Sequence, residues 1–151
     1  MSFAEACYEA VGTVTTKNIS PTLQMGDISL ALESEGEAFS KTGSIVGNIT
    51  DVDGFGSTIL SHTAQFSKGK GNMFVTSGDK AVLAPPFVRA TLEDGITPCS
   101  FWIHETISNI ASGTGFFEGV TFVKIFADGY FSNCPEENEN YFVLSGQLCA
   151  E

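Results

Sequence analysis

Three glycines and a phenylalanine pair crowd into eight residues between two long apolar stretches, and this arrangement constrains the chain more than any other. Cys99–Tyr130 reads as a strand (Ser100–Ile110), a glycine-rich turn (Ser112-Gly113-Thr114-Gly115-Phe116-Phe117-Glu118-Gly119) and a second strand (Thr121–Tyr130). Glycine takes backbone angles that a Cβ resists. Phe116 and Phe117 are too apolar for a solvated loop, so the turn is expected to tuck them beneath the sheet and close one end of a core.

The rest of the chain alternates strand and turn in the same way. Strands are expected over Cys7–Thr16, Ile28–Leu32, Ser44–Thr50, Thr58–Phe66, Met73–Ser77, Ala81–Pro86, Phe87–Leu92 and Tyr141–Cys149. Ser20-Pro21 marks a rigid corner after the first of them. Pro85-Pro86 argues against a central strand there, because proline cannot donate to a ladder. Turns are expected at Glu33–Gly36, Asp51–Gly56, Ser67–Asn72, Ser77-Gly78-Asp79 and Glu93-Asp94-Gly95, and a polar loop over Asn133–Asn140. No helical stripe of convincing length appears. About eight strands at short spacing predict a sandwich or a barrel. Closing the apolar last strand against the first would remove the exposed edges, which favours an eight-stranded antiparallel up-and-down β-barrel. Such a barrel has room for packed side chains or one small ligand. With 151 residues, a single domain spanning 1–151 is the expectation.

Charge narrows the partners. Eighteen acidic residues against seven basic ones give a net charge of −11. Nucleic acid needs a basic footprint, so no nucleic-acid partner is expected, and an anionic membrane surface is disfavoured for the same reason. No apolar run reaches membrane-spanning length, and Met1–Cys7 shows no secretory leader. The four cysteines (7, 99, 134, 149) form no Cys-x-x-Cys pair. They read as reduced thiols of a cytoplasmic protein.

Gly26-Asp27-Ile28, the Gly43–Thr50 strand and above all Ala111–Val120 resemble the allene oxide cyclase family, whose members carry a Gly-Asp-Leu early and a glycine-rich Phe-Glu-Gly turn late. The resemblance runs from Tyr8 to about Leu148. It implies a lipocalin-like, calycin-type barrel, related to plant dirigent proteins and to bacterial cyclases of polyketide biosynthesis. The family carries a Tyr-Glu dipeptide on the first strand and a Ser-Pro after it; Tyr8-Glu9 and Ser20-Pro21 stand at comparable places. Val11 replaces the family asparagine two residues after that glutamate, which argues against the plant substrate.

The candidate catalytic residues are Glu9, Glu105, His62 and His104. Glu9 shares a face with Cys7, Val11 and Thr13. Turned inward, its carboxylate would be desolvated and suited to moving a proton; turned outward, it is a rim residue in water. Glu105 interrupts the apolar face Phe101, Ile103, Ile107, where a carboxylate is costly unless paired or used. Its alternative is a structural ion pair. His104 and Trp102 fall on the opposite face, so His104 and Glu105 cannot line one cavity. His62 shares a face with Leu60, Ala64 and Phe66, as a catalyst or as a hydrogen-bonded core residue. Tyr8, Ser20, Pro21, Trp102, Phe116, Phe117, Tyr130 and Phe142 are the candidate pocket wall, against plain core packing.

No metal is expected. Two histidines without a close carboxylate cluster do not make a metal site, and Asp51-Val52-Asp53-Gly54-Phe55-Gly56 lacks the remaining ligands of a calcium loop. No dinucleotide or Ser/His/Asp motif is present, so no cofactor is expected. The resemblance and the pattern together imply a cofactor-independent cyclase or isomerase, Diels-Alderase-like in its demands. It would fold a hydrophobic small molecule for ring closure or rearrangement in natural-product biosynthesis, and is compatible with a homodimer or homotrimer. The alternative is a barrel that binds a hydrophobic ligand without chemistry, as a carrier or stereochemical guide.

Overall fold

Ten strands and one 3-10 turn make up the computed structural model, which describes residues 5–35, 37–53, 56–66 and 71–151. The strands are β1 (Ala6–Ser20), β2 (Leu23–Glu33), β3 (Glu37–Val52), β4 (Thr58–Gln65), β5 (Met73–Thr76), β6 (Asp79–Thr91), β7 (Pro98–Ile107), β8 (Ile110–Thr114), β9 (Val120–Ser132) and β10 (Asn140–Ala150). The 3-10 turn, Gly115–Phe117, joins β8 to β9. Among the described residues no helix is long and apolar enough to cross a membrane. The expected turns at Glu33–Gly36, Asp51–Gly56 and Ser67–Asn72 fall partly outside the described residues, at Gly36, Gly54-Phe55 and Ser67–Lys70, as do Met1–Ala4.

All strand pairings are antiparallel, and they close on themselves. β1, β2, β3, β4, β6, β7, β9 and β10 pair in succession, and β10 returns to β1 with Tyr8 opposite Leu148 and Val14 opposite Phe142. Eight strands therefore form a barrel-like ring. β5 and β8 pair with each other outside it, attached through β4. The expected meeting of the first and last strands is present, and it leaves neither of them as an edge.

The Cys99–Tyr130 stretch differs from expectation in one respect. β7 pairs directly with β9, but the chain between them leaves the ring at Ser108-Asn109 and runs out as β8 along β5. Asn109 anchors this corner, donating through Nδ2 to Ser77 Oγ at 2.6 Å and accepting from the Ser77 N–H. The turn then brings its aromatics back. Phe117 is buried among Phe39, Phe66 and Phe74, and Phe116 packs against Tyr8 and Phe39. These rings close one end of the ring of strands. Gly115 has φ +60°, which only glycine adopts without strain.

Pro85-Pro86 lies within β6 after all. The ladder with β7 jumps from Leu83–Ile103 to Val88–Phe101, so the prolines oppose no partner and the missing N–H groups cost nothing.

The cysteines overturn the expectation of reduced thiols. Cys7 and Cys149, directly opposed on β1 and β10, are disulfide-bonded, and Cys99 is bonded to Cys134. The basis for assigning the chain to the cytoplasm falls with them, since such bonds are rare there.

Candidate functional site

Alternation along each strand sends one set of side chains inward. Ala10, Val14 and Thr16 of β1, Ile28 and Leu30 of β2, Ile125 and Ala127 of β9, and Leu144 and Leu148 of β10 all turn into the ring. They do not fill it. A cavity of about 250 Å³ remains, walled mainly by aliphatic side chains. Its polar lining is Thr16, Gln24, Thr58, His62, Thr76 and Glu105.

His62 sits where the sheet forks. The β4 edge pairs with β6 up to Leu60 and with β5 from Thr63 onward. The Ser77-Gly78 turn that links β5 to β6 therefore passes beside His62, and Gly78 takes φ +68° to make it tight. That turn delivers Thr76 and Asp79, both inaccessible to water, to the histidine. His62 Nδ1 lies 2.7 Å from Asp79 Oδ2. The Thr76 hydroxyl donates to the same Asp79 oxygen and accepts the His62 backbone N–H at 2.9 Å. Ser61 Oγ donates to the Thr76 carbonyl at 2.6 Å. The ring is thus fixed on its Nδ1 side, and its Nε2 is left facing Glu105, 3.9 Å from Oε1.

Glu105 enters from β7, between Ala81 of β6 and Ala127 of β9. It is 5% exposed, and its Oε1 has no hydrogen-bond partner among the described residues; nor has Asp79 Oδ1. Burial raises the Glu105 pKa above the ordinary carboxylate value, opposed by His62 and reinforced by Asp79. For His62, burial alone would lower the pKa, but the charge of Glu105 and the charge and hydrogen bond of Asp79 outweigh it and raise the value. A buried carboxyl whose pKa is raised, facing an imidazole whose pKa is raised, is suited to exchanging a proton with one guest.

Gln24 completes the polar arc. It faces Gly47 across the β2–β3 ladder, and Gly47 faces His62 across β3–β4. A Cβ at position 47 would stand 3.1–3.2 Å from the His62 ring atoms and 3.5 Å from Gln24 Oε1. The missing side chain is the space that the ring occupies.

The other sequence candidates divide sharply. Glu105, His62 and Phe142 line the cavity. Glu9 does not; its face is the outer one, where it is exposed in a shallow groove with Glu33, Glu35 and Gln147. Ser20 and Pro21 are exposed at the β1–β2 corner. His104 is also outside, 2.6 Å from Asp128 and stacked on Phe126. Trp102 and Tyr130 pack edge to face on the outer surface around Arg89, whose guanidinium lies 3.6 Å from the Tyr130 ring centroid and is bonded to Glu137. Tyr8, Phe116 and Phe117 belong to the aromatic cluster at one end. The expectation that the histidines lack a carboxylate cluster is corrected at His62, where ligand atoms of His62, Asp79 and Glu105 lie within 4.8 Å of one another. With Nδ1 engaged by Asp79, only Nε2 and Glu105 would face an ion in the cavity.

Sequence reasoning missed Asp79, Thr76 and Gln24. The signal for the first two was the spacing Thr-Ser-Gly-Asp between strands, which reads as a solvated turn. No protein-family model, curated protein sequence or solved structure matches this chain.

Proposed function

We propose that this chain is a cofactor-independent isomerase or cyclase that encloses a hydrophobic small molecule in the ring of strands. One observation carries the reading: a half-buried imidazole and a buried carboxyl, 3.9 Å apart, face a mainly aliphatic cavity. A buried carboxyl oxygen without a hydrogen bond is expensive in such surroundings, and it is useful where a guest needs protons or partial charge at one defined point. The walls would hold a flexible molecule in one reactive shape, lowering the entropic part of the barrier. The resemblance to the allene oxide cyclase and dirigent barrels supports a calycin-type architecture and a natural-product guest. The acid–base pair in this reading is Glu105 and His62 rather than Glu9. The two disulfides support an oxidising compartment.

The test is incubation of the purified chain with a lipophilic extract of its source, followed by chromatography for compounds converted without change of mass. The wild-type chain is expected to deplete one compound and build up an isomer, and Glu105→Leu to lose that activity at least a hundredfold. A guest recovered unchanged from both proteins would instead establish the second reading, a binding barrel, which the enclosed apolar walls also favour.

A further inference from the structure

The geometry points to a two-donor cradle for a single oxygen atom, formed by His62 Nε2 and Glu105 Oε1, and we infer that the guest is an apolar ketone or aldehyde whose carbonyl oxygen lodges there. The inference rests on the guest-binding reading of the cavity and adds the chemical class of the guest.

The two atoms are 3.9 Å apart, too far to bond to each other. An oxygen about 2.8 Å from each would bridge them at an angle of roughly 90°, which suits a carbonyl oxygen accepting two hydrogen bonds. Glu105 Oε1 is buried and has no partner among the described residues, so it already lacks what such an oxygen would supply. His62 cannot turn away, because Asp79 holds Nδ1 and Thr76 holds the backbone N–H.

Charge supports the same arrangement. Asp79 and Glu105 both ionised beside one imidazolium would leave a net negative charge in an apolar cavity, which is costly. The inferred form is a neutral one that keeps one proton on Glu105 and places the His62 imidazolium against Asp79. In that form both Oε1 and Nε2 are donors. They converge on an oxygen and favour it more as it gains negative charge, as when electrons of a conjugated carbonyl compound move toward oxygen during ring closure. Elsewhere the wall is chiefly aliphatic, so the remainder of the guest is hydrocarbon. At about 250 Å³ the cavity lies below the roughly 300 Å³ at which pockets for drug-sized ligands begin, so the guest is small.

Acetophenone and α-methylstyrene test this directly, being nearly identical in shape and differing in C=O against C=CH2. Acetophenone labelled with carbon-13 at the carbonyl is expected to show, on binding, a stretch lower in frequency than in cyclohexane. Glu105→Leu is expected to reduce that shift by about half, leaving the His62 contribution, and to weaken ketone binding at least fivefold, with α-methylstyrene binding unchanged or tighter. Glu105→Gln, which keeps an N–H donor and loses any capacity as a base, is expected to restore at least half of the lost shift. A ketone stretch equal to that in cyclohexane, or a shift undiminished in Glu105→Leu, would overturn the cradle while leaving the guest-binding cavity intact. Failure of both probes to bind would overturn the cradle and the cavity reading together.

Discussion

Thr76 and His62 are joined twice over. The His62 backbone N–H donates to Thr76 Oγ1 at 2.9 Å, and the same hydroxyl donates to the Asp79 carboxylate that engages the His62 ring. Main chain and side chain of the histidine are thereby tied to one short turn, so the direction of Nε2 is a property of the β5–β6 connection rather than of the ring alone.

Thr76→Val keeps shape and removes that hydroxyl. It strands the His62 backbone N–H in a site that water does not reach, at about 1–3 kcal/mol, and leaves Asp79 Oδ2 with the His62 ring as its one partner of the two. Urea unfolding is expected to show a loss of that order, largely restored in Thr76→Ser. A loss below about 0.5 kcal/mol would mean that the turn is held by other contacts.

Stability should have an acidic optimum. Glu105 and His62 both have pKa values raised in the folded state above 4.5 and 6.5 respectively. The folded chain therefore binds more protons than the unfolded one from about pH 4.5 upward, and stability falls as pH climbs through each folded value. Glu137, lowered chiefly by its hydrogen bond to Arg89, and Asp94, lowered chiefly by its bond to Thr97, act in the opposite sense and only at lower pH. Denaturant unfolding from pH 4 to 9 is expected to fall on the alkaline side by no more than about 1.4 kcal/mol per pH unit for each group. Glu105→Gln should flatten the limb between about pH 4.5 and 6.5. An unchanged profile in that variant would assign the slope to other groups.

Gly47→Ala probes space rather than backbone. The nearest atoms to the new methyl are His62 Cδ2 and Nε2, at 3.1 and 3.2 Å, and the ring must yield by a few tenths of an ångström. Acetophenone affinity is expected to drop several-fold, while unfolding free energy changes by less than about 1 kcal/mol. A crystal structure of the variant with His62 unmoved, together with unchanged affinity, would contradict this.

The Cys99–Cys134 bond closes a loop 35 residues long. Replacing both cysteines by serine is expected to cost about 2–4 kcal/mol through the unfolded chain. The bond lies away from the cavity lining, so α-methylstyrene binding should persist. Loss of binding at temperatures where the variant remains folded would show that the loop shapes the cavity from outside.

Much of the architecture was readable because period-two alternation and turn residues report directly on strands. Phe101, Ile103, Glu105 and Ile107 on one face and Trp102 and His104 on the other follow from that rule alone. Which face turned inward did not follow for β1, since Tyr8, Ala10 and Val14 are scarcely more apolar as a set than Cys7, Val11 and Thr13; the family likeness favoured Glu9, and the ring turned it out. Asp79 was hidden for a different reason. An aspartate after Ser-Gly looks like a solvated turn residue, and only the fork between β5 and β6 buries it against His62. The cysteine pairs were hidden because Cys7 and Cys149 are separated by 142 positions and become neighbours only when the ring closes.

That last adjacency has a bearing on synthesis. β1 leaves the ribosome before the other strands of the ring, yet one of its two flanking partners, β10, is the last of the eight to appear. Until β10 emerges, the hollow is an open trough whose greasy floor faces the surroundings. A stalled or truncated chain would consequently display the surface that the finished protein conceals, and would be a natural client for chaperones.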